Sequence, residues 1–165
     1  MSELGFLSPA RASAEAVWRS PLERALAHAP VGIEDVSRTG ILDVRGEVSH
    51  FDGDGFEVVT LTPGRALVFC NFEDVPVLRA KLRQQFRAVM DQSAGYAGLR
   101  IQGPTLMRRL TDLDLEDLPA VGAFAHVQGI VLRDDEHTFR VFVPQEYGHY
   151  VAEVVVDAAE GVGAA

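Results

Sequence analysis

Asp52-Gly53-Asp54-Gly55 puts two carboxylates on backbone that glycine leaves free to turn. Those residue types could bind a cation or hold a general base in place. A calcium loop of the helix-loop-helix kind needs further oxygen ligands and a glutamate at its twelfth position, where this chain has Pro63, so no metal is assigned. The same four residues suit the rim of a hairpin. No catalytic residue is therefore assigned, and Asp52 and Asp54 stand as the candidates. His28, His50, His126, His137 and His149 include no pair three or four residues apart, so no helix offers two imidazoles to one zinc ion. Cys70 ends an apolar segment with no base beside it and reads as a small hydrophobe. Ser37 and Ser93 each follow an aspartate by two residues, outside any nucleophile-elbow pattern. They read as turn formers, with Asp35 and Asp91 bonding nearby backbone amides. Neither Gly95-Tyr-Ala-Gly98 nor Gly161-Val-Gly163 has the spacing of a phosphate-binding loop.

The elements that must position these residues show an internal repeat. Asp35-Val-Ser37-Arg-Thr-Gly40-Ile-Leu-Asp-Val-Arg-Gly46 recurs as Asp91-Gln-Ser93-Ala-Gly-Tyr-Ala-Gly98-Leu-Arg-Ile-Gln-Gly103. Each copy is followed by a hairpin and then a helix. In the first, Phe56 to Leu61, the turn Thr62-Pro63-Gly64 and Arg65 to Phe69 form the hairpin. Val75, Leu78, Leu82 and Phe86 give the spacing of one buried helical stripe between Glu73 and Arg87. In the second, a helix opens at Pro104 and spans Thr105 to Thr111. Val127 to Arg133 and Thr138 to Val143 then form a hairpin, and Pro144 opens a last helix with Tyr147, Tyr150, Val151 and Val154 on one side. Before the repeat, Ser20-Pro21-Leu22-Glu23 has the pattern of a capping box and predicts a short helix to His28. Ile33 to Val36 and Ile41 to Val44 read as two strands joined by a turn at Gly40.

Clustered strands and segregated helices indicate α+β, with two pseudo-repeated, ferredoxin-like antiparallel lobes at about 20–88 and 89–160 of a single domain. Residues 1–19 are expected to be a flexible or docking arm, with Trp18 as the candidate partner-binding residue, and 161–165 a frayed tail. Of 165 residues, 15 are basic and 24 acidic, a net charge of −9 that opposes binding to nucleic acid or anionic lipid. Arg79, Lys81, Arg83 and Arg87 suit the carboxyl end of a helix dipole instead. One cysteine allows no internal disulfide, and neither a signal peptide nor a membrane span is visible, so a cytoplasmic protein is expected.

Val31-Gly-Ile-Glu-Asp35-Val-Ser37 through Val44-Arg-Gly46, Leu99-Arg-Ile-Gln-Gly103-Pro104, Phe139-Arg-Val-Phe-Val-Pro144 and Tyr147-Gly-His-Tyr150 together resemble the aminomethyltransferase folate-binding domain. That superfamily includes the glycine cleavage T-protein and the folate-binding portions of sarcosine- and dimethylglycine-oxidizing enzymes. The resemblance spans roughly residues 20 to 160. The T-protein is about twice this length, and the Arg19-Ser20-Pro21-Leu22 entry of this condensed chain is similar to the sarcosine oxidase gamma subunit family. In catalytic relatives the second hairpin carries a glutamate that meets the pterin. Here Arg133-Asp-Asp-Glu-His-Thr-Phe139 is shorter and has no glycine. The catalytic aspartate of those relatives could match only Asp52 or Asp54, and the elements that would wall its pocket are reduced to a few residues.

The resemblance implies a non-catalytic accessory subunit of a flavin- and folate-dependent oxidase that demethylates a methylated amine. Its partner would be a large flavin- and folate-binding subunit, and FAD, FMN and NAD are expected only in partner subunits. The alternative is a stand-alone tetrahydrofolate-binding one-carbon protein using Asp52 or Asp54. A homodimeric binding module is a third reading.

Overall fold

The computed structural model describes residues 18–163 apart from Asp52 and Asp54. Most of the expected amino-terminal arm lies outside that range. Nine strands and three α-helices follow in the order β1 (Ile33–Asp35), β2 (Thr39–Arg45), β3 (Glu57–Thr62), β4 (Arg65–Asn71), α1 (Val75–Leu82), β5 (Ala88–Asp91), β6 (Tyr96–Gln102), α2 (Pro104–Leu110), β7 (Ala120–Phe124), β8 (Val127–Arg133), β9 (Thr138–Pro144) and α3 (Gly148–Gly163). The strands build two antiparallel sheets, one of five strands ordered β1-β6-β9-β8-β7 and one of four ordered β3-β4-β2-β5. The fold is α+β, as expected.

Three apolar clusters define the layers. Sheet B, the four-stranded one, packs Leu42, Val44 and Val68 against Val75, Leu78 and Leu82 of α1. Sheet A, the five-stranded one, packs Leu99, Val131, Phe139 and Val141 against Met107 of α2 and Val151 and Val155 of α3. Between the sheets, Ile41, Val59, Leu67 and Phe69 of sheet B meet Ile130, Leu132 and Phe142 of sheet A, with the Phe69 and Phe142 rings 5.1 Å apart. The layers therefore run helix, sheet, sheet, helix. This explains why Gly40 to Val44 are buried without interruption: β2 is covered on both faces, and strand alternation sends Leu42 and Val44 to α1 but Ile41 and Asp43 to the intersheet layer.

The repeat has a structural cause that differs from the expected strand, turn and strand. β1 and β2 are not a local pair: β1 lies beside β6 in sheet A, and β2 lies between β4 and β5 in sheet B. Each copy carries the chain from one sheet to the other, so the boundary expected near residue 88 does not separate the sheets. Asp35 Oδ1 accepts a hydrogen bond from Ser37 N at 2.8 Å, and Asp91 Oδ1 accepts one from Ser93 N at 3.0 Å. The hydroxyls then bridge the copies. Ser37 Oγ accepts from Gly98 N, and Ser93 Oγ accepts from Ile41 N, each at 3.0 Å. Both serines are buried turn formers, in agreement with their reading from sequence. The glycine shared by the copies permits the close crossing: a Cβ on Gly40 would lie 2.5 Å from Val75 Cγ2, and one on Gly98 2.7 Å from Phe142 Cε1.

Four local expectations need correction. Residues 21–28 form successive turns and no α-helix, although Ser20 Oγ does accept from Leu22 N at 3.0 Å. Ser20 also donates to Asp35, which ties this segment to the end of β1. The α1 helix stops at Leu82, and Phe86 reaches its cluster from the turn beyond, edge-on to Phe51. Strand β7 was not anticipated. In α3 the buried face centres on Val151, Ala152 and Val155, so Tyr147 and Tyr150 are turned to solvent. The helix itself extends to Gly163, into the expected tail.

Candidate functional site

The two carboxylates from which a site was sought, Asp52 and Asp54, lie outside the described residues. Their neighbours Phe51, Gly53 and Phe56 line a crevice of about 10 Å³ against α1. None of those neighbours lines the large cavity described next. Trp18 is 47% exposed. No group of three or more histidine, cysteine, aspartate or glutamate side chains able to hold a metal occurs among the described residues.

The structure instead places chemistry on the inner face of sheet B. Alternation along β2 makes Asp43 follow Ile41 into the intersheet layer, where it is 1% exposed. A carboxylate removed from water needs partners. Arg65, at the start of β4, supplies a fork: Nη2 donates to Oδ2 at 2.9 Å, and Nε lies 3.1 and 3.3 Å from Oδ2 and Oδ1. Arg45 Nη2 reaches the same Oδ2 at 3.5 Å. Arg45 and Arg65 stand directly opposite each other across β2 and β4, a like-charge pairing that costs stability unless an anion lies between them. Asp43 is that anion.

Beyond Arg65 the sheets separate around a cavity of about 540 Å³. Val59, Thr60, Leu61, Arg65 and Leu67 form its sheet B wall. Tyr96, the β7 start from Pro119 to Val121, Gln128 to Ile130 and Pro144 form the other. Burial pushes the Tyr96 phenol above its ordinary value, against the nearby Arg65 charge and together with that of Asp43, so the hydroxyl stays protonated and can donate. No described residue hydrogen-bonds to it. The described lining holds no carboxylate and no nucleophile paired with a base, and its donors, Arg65 and Tyr96, suit recognition of an anion.

The opposite end of the intersheet layer is bridged. Arg140 of β9 donates through Nη2 to Glu57 of β3 and through Nε to Asp134, both at 2.6 Å, which links the two sheets. Arg100 lies 3.5 Å from Asp134 and 3.3 Å from Glu34. Desolvation opposes the charge on Arg140, but the hydrogen bonds to Asp134 and Glu57 outweigh it and hold its pKa above the ordinary value. Cys70 lines a cavity of about 410 Å³ here. Burial, followed by the charges of Asp74 and Asp91, pushes its thiol up to about 11, so it is no thiolate at neutral pH.

Reasoning from sequence missed Asp43, Arg65 and Tyr96. One signal was available, a single charge inside the apolar run Ile41-Leu42-Asp43-Val44.

Comparison with known proteins supports the fold and leaves the sequence family open. No family model matches the chain, and no curated protein matches it by sequence. Among solved structures, a chain of the heterotetrameric sarcosine oxidase from Corynebacterium sp. U-96 is similar, with a TM-score of 0.73 and 19% identity over 91% of this chain and 98% of that one. The glycine cleavage system aminomethyltransferase T from Bartonella henselae matches with a TM-score of 0.53 and 16% identity over 86% of this chain. This chain spans 52% of that protein. Aspartokinase alpha and beta subunits give a TM-score of 0.50 at 12% identity. The resemblance read from the sequence is thus supported as a likeness of fold to a sarcosine oxidase subunit and to an aminomethyltransferase domain. No helix among the described residues is long and apolar enough to cross a membrane.

Proposed function

We propose that this chain is a gamma-like, non-catalytic accessory subunit of a heteromeric, flavin- and folate-dependent oxidase of the sarcosine oxidase type. It supports oxidative demethylation of a methylated amine by a larger partner. The observation that carries this reading is the length of the match: it runs over nearly the whole of both chains, so the neighbour is a chain of the same size within a heterotetramer. The flavins and NAD belong to the partner subunits in this reading, and Trp18, the half-exposed aromatic of the arm, belongs to the docking surface. Co-expression with a large flavin- and folate-binding subunit and size-exclusion chromatography test it. Co-migration at a fixed stoichiometry is expected, and a chain that stays monomeric or forms only a homodimer beside that subunit overturns it.

The alternative of a stand-alone tetrahydrofolate protein finds less support in the geometry. The 2-amino and N3–H edge of a pterin offers two donors that a carboxylate matches best. The described lining of the 540 Å³ cavity has none, and Asp43 beside it is engaged by two arginines. Titration with reduced folate, with Asp52→Ala and Asp54→Ala as controls, decides that alternative.

A further inference from the structure

We propose that the cavity at the open end of the intersheet layer binds a small organic anion, an aromatic or aliphatic monocarboxylate, with Arg65 and the Tyr96 hydroxyl as its anchors. This goes beyond the accessory-subunit reading and does not depend on it, because every residue involved belongs to this chain.

Charge is the first ground. Arg45, Arg65 and Asp43 together carry one net positive charge on a chain whose total is −9. The described lining adds no carboxylate to cancel it. Preorganisation is the second. Asp43 occupies Arg65 Nε and Nη2, which fixes the plane of the guanidinium, while Nη1 makes no hydrogen bond to any described residue. An arginine held in this way loses little side-chain freedom when a second carboxylate arrives. The Tyr96 hydroxyl is a third donor on the facing wall and has no described partner. Leu61, Ile130 and Pro144 supply apolar contact for the body of the ligand, and about 540 Å³ falls within the usual range for small-molecule sites.

The same observations narrow the ligand class. A cation or free amine would meet Arg65 and find no acidic partner in the described lining. A dianion such as a phosphate monoester needs a second cation facing the cavity, but Arg45 opens instead onto the neighbouring cleft with Arg87. One negative charge on an apolar body fits best.

The experiment is an NMR titration of the isotopically labelled full chain, without any partner subunit, using 2-naphthoate and its neutral isostere 2-naphthamide as probes. Failure to assemble with a large subunit therefore leaves this result untouched, and the reverse also holds. Saturable shifts at Tyr96, Gln128 and Ile130 with 2-naphthoate are expected. Loss of the charge should weaken binding about tenfold or more in 2-naphthamide. Tyr96→Phe keeps both arginines and the fold, and should weaken 2-naphthoate binding by about threefold to tenfold. Arg65→Gln leaves Asp43 buried and short of a partner, so Asp43→Asn/Arg65→Gln, which removes both charges together, accompanies it. That pair should lose at least about tenfold in affinity. Absence of saturable shifts up to about 10 mM, equal binding of the two probes, or unchanged affinity in both Tyr96→Phe and the paired variant overturns the proposal.

Discussion

The two ends of the intersheet layer use the same chemistry in opposite ways. At one end Arg140 of sheet A reaches Glu57 of sheet B, so the ion pair spans the gap and ties the sheets together. At the other, Asp43, Arg65 and Arg45 all belong to sheet B, so their ion pairs consume charge within one wall and leave the gap open. Where the partner of an arginine in this layer sits thus decides whether that arginine is a strut or an anchor. A carboxylate on the facing sheet makes a strut, and one on the neighbouring strand makes an anchor with donors to spare.

The comparison can be broken at its middle. Phe142→Ala removes the ring that packs on Phe69 between the two ends and should destabilise the protein by about 3–5 kcal/mol in denaturant unfolding. A cost below about 1 kcal/mol would mean that the sheets are not held by this layer. At the open end, Arg65→Ala strands the buried Asp43 with Arg45 alone, at a cost of about 2–3 kcal/mol. Asp43→Asn/Arg65→Gln should recover part of that loss, because no buried charge is left without a partner and the remaining Arg45 is half-exposed to water. At the bridged end, Glu57 and Asp134 are partly exposed, and Arg140→Ala should cost only about 1–2 kcal/mol, with the difference shrinking as salt is raised.

Two titrations are finer probes. The Tyr96 phenol, measured by the absorbance difference between wild type and Tyr96→Phe, should ionise above the ordinary tyrosine value. Arg65→Gln should push it higher still, because the cation that favours phenolate is gone. Since the folded-state value is raised, the stability tied to the neutral phenol is present below the ordinary tyrosine pKa and is lost as pH rises through the folded-state value. The smallest effect concerns Cys70 beside the bridged end. Its alkylation by iodoacetamide should be slow at neutral pH and accelerate only as pH approaches about 11.

Local signals were well written in the chain. Pro63-Gly64 between two β-rich runs gave the β3–β4 hairpin, and the spacing of Val75, Leu78 and Leu82 gave the buried side of α1. Signals that depend on distant partners were not. Ala120-Val-Gly-Ala-Phe124 has too few large apolar residues to show alternation, and β7 exists because β8 lies beside it. Ser20 to Glu23 satisfies every local rule for a helix start, yet Ser20 bonds to Asp35 and the segment remains in turns. The candidate site was the least legible part. Asp43 could be noticed as a lone charge in an apolar strand, but its pairing with Arg65 depends on register, and Tyr96 arrives from the other sheet.

The exchange of strands between the two copies bears on how the chain can be made. Glu34 of β1 pairs with Arg100 of β6, 66 residues later, and Ser37 finds its amide partner at Gly98. During vectorial synthesis the first strand must therefore wait, unpaired, until the sixth has left the ribosome. Closing a loop of this length is an entropic step that comes before its contacts repay it. Neither copy can complete its own sheet, so the earliest native tertiary structure in the nascent chain should be the β3–β4 hairpin with α1, and the register of the whole molecule is settled late.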